Sequence, residues 1–220
     1  MIIQNISKSY KNKQILSDIS FDSEPGSCIG ILGCNGSGKS TLLNILAGVL
    51  KPDSGAFIFE KTNLFENHAF RSSTVGFVPQ NPPLFEELNA WDNLSLWYDK
   101  NALKKELHNG VLKMLGIDEF LKTPVCKMSG GMKKRLAIGC AVCGNPKILL
   151  LDEPSSALDI ICKQNIIDYL KDFKAQGGII IVATHDLNEL EICDKLYILK
   201  DKKLSSYNYT GNPKELVQSL

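Results

Sequence analysis

The segment Gly-Cys-Asn-Gly-Ser-Gly-Lys-Ser at residues 33–40 constrains the fold of this chain more than any other part of its sequence. An apolar run at 28–32 comes before it, and apolar residues recur at helical spacing from Lys39 to Val49. Its glycines allow backbone amides to approach an anion closely, and the N-terminus of the following helix adds positive potential. The strand, loop and helix together predict a phosphate-binding loop (P-loop) within an α/β fold.

Two side chains of this segment carry the chemistry that such a loop needs. Lys39 is placed to reach the β- and γ-phosphates of a nucleotide, and Ser40 offers a hydroxyl to Mg²⁺. A chance glycine-rich turn is the alternative interpretation. The predicted strand before the loop and the predicted helix after it favour phosphate binding.

A second candidate element consists of the apolar run 148–151 followed by two carboxylates, Asp152 and Glu153. The apolar run predicts a buried strand, and parallel α/β sheets bind ligands at the carboxyl ends of their strands. Asp152 fits a carboxylate that coordinates Mg²⁺, and Glu153 is placed to orient or deprotonate an attacking water. A solvated turn charge is the alternative for Glu153, but the accompanying P-loop favours the catalytic role.

The pattern of secondary structure changes twice along the chain. Strand and helix patterns alternate at both ends of the sequence, whereas helical patterns alone occupy about 85–143. Alternating strands and helices predict a parallel sheet between helices. We therefore expect one α/β domain, in which 1–84 and 146–220 form the core and 85–145 form an all-helical insertion.

Composition limits the classes of function open to the chain. Its 220 residues, 44% hydrophobic with a net charge of +1, are typical of a globular protein and lack the basic excess of proteins that coat nucleic acid. The apolar runs are far shorter than the ~20 residues that cross a bilayer, and the N-terminus carries no signal-peptide pattern. We expect a cytoplasmic protein without a nucleic-acid partner, so any membrane-spanning part must belong to another chain.

Seven cysteines, an odd number, predict reduced buried thiols and not a disulfide framework. Cys140 and Cys143 have the spacing C-x-x-C, for which a metal or redox site is the alternative. No second pair has this spacing, and the three histidines lie far away in sequence. We expect the two cysteines to share one packed face of a helix predicted over 135–143 and to bind no metal.

Residues 128–135, Met-Ser-Gly-Gly-Met-Lys-Lys-Arg, place small residues at the start of another predicted helix. A second anion-binding surface and an ordinary loop-to-helix turn both fit this pattern. Here the chain resembles the ATP-binding-cassette (ABC) ATPases. Their signature, Leu-Ser-Gly-Gly-Gln, is matched by Ser129, Gly130 and Gly131.

Further landmarks of that family occur in the expected order. Tyr10 resembles the aromatic residue on which adenine stacks, Gln80 resembles the Q-loop glutamine, and His185 resembles the switch histidine. The D-loop is matched by Ser156, Ala157, Leu158 and Asp159. The resemblance implies that ATP is bound by Tyr10, Gly33, Cys34, Asn35, Gly36, Ser37, Gly38, Lys39, Ser40 and Thr41. It implies that catalysis uses Lys39, Gln80, Glu153 and His185, and that Mg²⁺ is held by Ser40, Gln80 and Asp152.

The resemblance covers essentially the whole chain and also implies its fold and activity. The implied fold is a P-loop NTPase (RecA-like) core with an N-terminal antiparallel β subdomain and an inserted all-helical subdomain. Two ATPase subunits, identical or paralogous, would enclose each ATP between the P-loop of one and Ser129 to Gly131 of the other. Hydrolysis would power transport through a separate transmembrane permease subunit, which would hold this chain at the inner face of the membrane.

Three residues depart from the family pattern. Met128 replaces a leucine, Met132 replaces the signature glutamine, and Cys140 stands where many members have arginine, which puts that arginine's contacts in doubt. None of the changes removes a phosphate-binding or catalytic group. Met132 is associated with exporters of drugs, bacteriocins and antibiotics, and with the single-domain length it predicts export.

Two other functions are alternatives at this point. A soluble ABC ATPase, such as one acting in iron–sulfur assembly, would share all of these motifs. A P-loop kinase would not need the signature Ser129–Gly131, Gln80 or His185, so these residues favour the ABC ATPase.

Apolar and aromatic residues are concentrated directly after Gln80. In relatives this segment receives the coupling helix of the membrane partner, so the resemblance implies an exposed interface, and the core of the helical insertion is the alternative. The residues concerned are Pro82, Pro83, Leu84, Phe85, Trp91, Leu94, Trp97 and Tyr98.

Overall fold

Two sheets, one largely parallel and one antiparallel, organise the fold. The computed structural model describes residues 1–155 and 158–220. Its strands are β1 (Ile2–Tyr10), β2 (Lys13–Asp22), β3 (Cys28–Leu32), β4 (Ser54–Phe59), β5 (Thr62–Asn63), β6 (Val75–Val78), β7 (Ile148–Asp152), β8 (Ile179–Ala183), β9 (Lys195–Lys200) and β10 (Lys203–Tyr207).

The helices lie around and between these strands. They are α1 (Lys39–Ala47), α2 (His68–Thr74), α3 (Ala90–Ser95), α4 (Lys100–Asn109), α5 (Val111–Met114), α6 (Gly130–Ala141), α7 (Ile160–Ala175), α8 (Leu187–Glu191) and α9 (Pro213–Ser219). Two short 3₁₀ helices, Ile117–Phe120 and Val125–Lys127, precede α6.

The larger sheet has the strand order β10-β9-β3-β8-β7-β6. All neighbours pair in parallel except the hairpin of β9 and β10. Every residue of β3, β7 and β8 is buried, which explains why these strands are continuously apolar. Because parallel strands end at the same edge, the residues that follow β6, β7 and β8 are brought together.

The smaller sheet is antiparallel, with the order β2-β1-β4-β5. One face packs through Ile3, Leu16 and Phe57 onto Leu42 of α1 and Leu150 of β7, in a single buried cluster. The antiparallel sheet that the resemblance implied is present, and the structure adds that it shares one hydrophobic core with the parallel sheet.

The elements between β6 and β7 are all helical and run from α3 to α6. Leu94, Leu112 and Leu136 from these helices join Leu149 of β7 and Leu170 of α7 in a second buried cluster. The helical segment thus packs on the opposite face of the sheet from α1 while its chain leaves and re-enters at neighbouring strands.

Some local expectations were wrong. The helix predicted over 135–143 ends at Ala141, because Asn145 and Gly144 adopt positive φ angles of 53° and 82° in the turn that follows. Cys143 lies in this turn, so it does not share a helical face with Cys140. The first helix ends at Ala47, since Gly48 forms a left-handed cap. Helix α2 and strand β10 were not anticipated.

No helix among residues 1–155 and 158–220 is long and apolar enough to cross a membrane.

Candidate active site

The loop between β3 and α1 folds around the ammonium group of Lys39. Lys39 is only 6% exposed, and its Nζ donates hydrogen bonds to the carbonyl oxygens of Gly33 at 2.6 Å and Cys34 at 3.3 Å. Burial lowers the pKa of Lys39, while the negative charges of Glu153 and Asp152 raise it. The lysine is therefore already directed into the loop and lies near two carboxylates.

The start of α1 suits the binding of an anion. Gly38, the N-cap of α1, has φ of 112°, and no side chain among the described residues caps the first amides of the helix. A Cβ atom at Gly33 would lie 2.5 Å from the carbonyl oxygen of Leu199, so only glycine fits there. The buried hydroxyl of Ser37 has no hydrogen-bond partner among the described residues. These features suit the binding of phosphate oxygens.

Asp152 and Ser40 place two oxygen ligands side by side at the end of β7. Asp152 is 3% exposed. Burial raises the pKa of Asp152, whereas a hydrogen bond from the Ser40 hydroxyl and the charges of Lys134 and Lys39 lower it. A carboxylate and a hydroxyl held together in this way are ligands of the kind that Mg²⁺ prefers.

Side chains that follow two other strands, β6 and β8, approach the carboxylate of Glu153, which follows β7. Gln80, two residues after β6, donates from Nε2 to Oε2 of Glu153 at 3.1 Å. His185, two residues after β8, places Nε2 3.8 Å from Oε1 of Glu153. The backbone of Glu153 has φ of 50°, a conformation that non-glycine residues rarely adopt and that is concentrated at functional sites.

His185 has an environment that favours its neutral form. Burial lowers the pKa of His185 and the charge of Lys39 lowers it further, whereas the charge of Glu153 opposes both effects. We therefore expect His185 to be uncharged at pH 7, with its ring available for a hydrogen bond.

The signature residues lie on the helical segment, apart from this cluster. Ser129 is the N-cap of α6 and accepts a hydrogen bond from the amide of Met132 at 3.2 Å. Ser129 and Gly130 are exposed, and a Cβ at Gly131 would lie 2.7 Å from Sγ of Cys162 in α7. Among the described residues no hydrogen bond joins Ser129 to the P-loop, so a single chain does not combine the two elements.

Tyr10 and Asp159 are two further candidate residues, each with its own surroundings. Tyr10, at the end of β1, is 48% exposed, with Nζ of Lys8 5.8 Å from the centre of its ring. Asp159 is the N-cap of α7 and accepts a hydrogen bond from the amide of Cys162 at 2.8 Å, which lowers the pKa of Asp159. Ser156 and Ala157, the first half of the expected D-loop, lie outside the described residues.

Lys134 was missed by the sequence reasoning. It lies in α6, is only 6% exposed, and donates from Nζ to the carbonyl oxygens of Gln80 at 3.0 Å and Pro79 at 3.4 Å. Burial lowers the pKa of Lys134, while the charges of Asp152, Glu153 and Glu189 raise it. No sequence signal could have located it, because its partners are backbone carbonyls 54 and 55 residues away.

Glu189, one turn beyond His185, was also missed. It is fully buried, and burial raises the pKa of its carboxyl group, whereas the facing hydroxyls of Ser155 and Thr184 lower it. The only available signal was its spacing of four residues from His185.

Cys140 and Cys143 lie in different surroundings. Burial raises the pKa of Cys140 to about 12, and Sγ of Cys143 donates to the carbonyl oxygen of Trp97 at 2.8 Å. In the part of the chain that the structure describes, no group of three or more His, Cys, Asp or Glu residues is arranged to hold a metal ion.

The apolar residues after Gln80 divide into two groups. Phe85, Leu96 and Trp97 are 57%, 56% and 63% exposed. Leu94 is fully buried, and Tyr98 is directed inward, where its hydroxyl donates to the carbonyl oxygen of Gly139 at 2.8 Å. An exposed interface is therefore wrong for Leu94 and Tyr98, which belong to the core of the helical segment.

The chain is similar to known proteins in both sequence and structure. The profile of a family described as "ABC transporter" matches residues 16–156. The lantibiotic transport ATP-binding protein SrtF of Streptococcus pyogenes is 32% identical over 212 residues, which cover 96% of this chain and 91% of SrtF. The sulfate/thiosulfate import ATP-binding protein CysA of Bacillus cereus is 34% identical over 227 residues, which cover 99% of this chain and 62% of CysA.

A solved structure adds the fold. The dimeric structure of a post-hydrolysis state of the ATP-binding cassette MJ0796, bound to ADP and Pi, superposes with a TM-score of 0.83 at 28% identity. The superposition covers 94% of this chain and 99% of that chain.

Proposed function

This chain belongs to the ABC transporter family, as an ATP-hydrolysing subunit, and on that premise we propose how its residues bind ATP, hydrolyse it and engage their partners. The observation that carries the proposal is the meeting of Gln80 and His185 on Glu153, next to Lys39 and the Ser40–Asp152 pair. These groups follow four neighbouring strands of one sheet, at the edge where such sheets bind ligands.

ATP binds with its triphosphate in the P-loop. The amides at the start of α1 and the unpartnered hydroxyl of Ser37 bind phosphate oxygens, and Lys39 exchanges its bonds to Gly33 and Cys34 for bonds to the β- and γ-phosphates. The exposed ring of Tyr10 stacks on the adenine base.

The same edge of the sheet fits a magnesium ion. The Ser40 hydroxyl and the Asp152 carboxylate form a hard oxygen pair that would hold the ion, and the side-chain oxygen of Gln80 would be a third ligand. When bound, Mg²⁺ neutralises charge on the phosphates.

Glu153 acts as the general base for the attacking water. Gln80 donates to one of its carboxylate oxygens, and the attacking water would lie on the side of the carboxylate that faces His185. His185, kept neutral by its surroundings, donates or accepts a hydrogen bond at the γ-phosphate without adding charge. The chain's own residues thus position the water, the base and the phosphate.

Partners complete the site. The ATP-binding subunits of this family dimerise, and the exposed Ser129 and Gly130 would close on the ATP of a second subunit, identical or paralogous. We assign 1–84 and 146–220 to the nucleotide-binding core and 85–145 to the helical subdomain. Phe85, Leu96 and Trp97 would meet a transmembrane permease at the inner face of the membrane.

Export is the direction that we propose. SrtF, named for lantibiotic transport, aligns over 91% of its length, and Met132 occupies the last position of the signature. CysA, named for import, is similarly identical but extends well beyond the aligned region, which covers 62% of it. Co-purification from membranes, with mass spectrometry of the bound permease, would test this assignment.

The Glu153→Gln variant tests the catalytic proposal. The amide is nearly isosteric, so the P-loop should still bind ATP, but it cannot take a proton from water. ATP should accumulate, and the variant should run as a dimer with Mg-ATP and as a monomer without it in size-exclusion chromatography with light scattering. Normal hydrolysis by this variant would show that Glu153 is not the base.

A further inference from the structure

Lys134 is a buried charge that joins the signature helix to the catalytic cluster. It lies in the second turn of α6, and its Nζ donates to the backbone carbonyls of Gln80 at 3.0 Å and Pro79 at 3.4 Å. Only 6% of the residue is exposed. Burying an ammonium group costs free energy unless the group is hydrogen-bonded and near opposite charge. The two hydrogen bonds therefore allow Lys134 to be buried at this position.

Gln80 contacts both Lys134, through its backbone carbonyl, and Glu153, through its side-chain amide. The backbone carbonyl of Gln80 accepts the bond from Lys134, and the side-chain amide of Gln80 donates to Oε2 of Glu153 at 3.1 Å. Gln80 lies beyond the end of β6, at Val78, so the regular strand pairing does not fix it. A contact from outside the sheet is therefore needed to set the position from which its amide reaches the carboxylate.

The neighbouring basic residues show that this contact is specific to one position. Lys133 pairs with Glu86, which is 58% exposed, on the surface. Arg135 donates to the carbonyl oxygen of Leu115 and lies 5.0 Å from the ring centre of Phe120, inside the helical segment. Lys133 therefore contacts the far part of the loop after β6, at Glu86, whereas Lys134 is the one of the three that contacts Pro79 and Gln80 in these bonds. The acidic groups that attract Lys134 are Asp152, Glu153 and Glu189.

We propose that Lys134 is a positioning residue for hydrolysis: it fixes the backbone of Gln80 so that the Gln80 amide holds Glu153 in line. The proposal rests on the roles assigned above to Gln80 and Glu153. Lys134 does not touch the reacting atoms, and its effect passes through Gln80. A purely structural role, in which Lys134 only joins α6 to the loop, would stabilise the fold without depending on the Gln80 side chain.

A double-mutant cycle separates the two roles. Lys134→Met keeps the length and apolar stem of the side chain but removes the ammonium group. We expect it to lower the ATP turnover number about tenfold, with KM for ATP changed less than about threefold. In a Gln80→Ala background the same change should have no further effect, because the side chain through which it acts is gone. Lys133→Met, one residue away and on the surface, is the matched control and should leave turnover unchanged in both backgrounds.

Hydrogen exchange gives a readout that does not depend on hydrolysis. Amides of residues 77–84 should exchange faster in Lys134→Met than in the wild type or in Lys133→Met, measured by mass spectrometry on the nucleotide-free chain. If Lys134→Met is poorly folded, Lys134→Gln, which keeps a neutral donor, should give an intermediate loss of turnover.

Two results would overturn the proposal: an equal fold-loss of turnover with and without the Gln80 side chain, or unchanged exchange at 77–84. Failure of the catalytic assignment itself would be seen separately, as normal hydrolysis by Glu153→Gln without any change at Lys134.

Discussion

Lys39 Nζ donates to the carbonyl oxygen of Gly33 over 2.6 Å, so the P-loop is closed on the side chain that ends it. The loop therefore presents a preformed shape, with the ammonium group held at its centre and two carboxylates nearby. Binding of a triphosphate requires Lys39 to change partners but does not require the loop to fold.

Lys39→Met should abolish this exchange of partners. The variant keeps the apolar stem but has no charge for the β- and γ-phosphates, so ATP turnover should fall about a hundredfold or more. Its free energy of unfolding should change little or rise, because a partly desolvated charge is removed. Phosphate release and thermal unfolding measure the two effects, with the exposed Lys51→Met as control. Wild-type turnover in Lys39→Met would contradict the P-loop assignment.

Tyr10→Ala should weaken ATP binding, whereas Tyr10→Phe and Tyr10→Trp should not. The ring is half exposed, and stacking of a base on an aromatic ring is worth about 1–3 kcal/mol, or about 5- to 150-fold in Kd. Titration with a fluorescent ATP analogue measures the difference. Equal affinity of the four proteins would show that Tyr10 is an ordinary residue at a strand end.

Ser129→Arg should prevent dimerisation without affecting ATP binding to the same chain. Ser129 is exposed, and in the described part of the chain no hydrogen bond joins it to the P-loop, so the added side chain would obstruct a partner and not the chain's own nucleotide. In the Glu153→Gln background we expect an ATP-bound monomer by light scattering. Lys122→Arg, on the same helical segment, is a control that should still dimerise, and an Ser129→Arg dimer would argue against the shared site.

Cys140 should resist alkylation at neutral and mildly alkaline pH. The pKa of Cys140, about 12, keeps the thiol protonated, whereas the thiolate is the reactive form. The alkylation rate of Cys140 should therefore rise as the pH is raised toward 12. Cys34, exposed in the P-loop, should react at neutral pH and be protected by Mg-ATP. Mass spectrometry after brief treatment with iodoacetamide measures both sites. Rapid alkylation of Cys140 at pH 7 would contradict the burial argument.

The elements around the site could be predicted because their signals are local. The P-loop and the carboxylates after β7 follow apolar runs that are buried at every position, and the parallel sheet then determines that their ends meet. Chain order and short motifs were sufficient for that part of the fold.

Other features depend on contacts that leave no mark in a local pattern. Lys134 binds backbone carbonyls, which every residue type provides, and Leu94 is buried by packing between α3 and α6. Cys143 lies outside the helix because the chain turns after Ala141, although the apolar pattern of the sequence continues. The conformation of Glu153, with φ of 50°, likewise follows from the tertiary arrangement at the end of β7.

Helix α6 carries Ser129 at its N-cap and Lys134 in its second turn, and at 12 residues it is a rod about 18 Å long. A rod cannot shift one of these residues and leave the other behind. Docking of Ser129 on a neighbour's nucleotide would therefore also move Lys134, and through Gln80 it would change the position of Glu153 in the same chain.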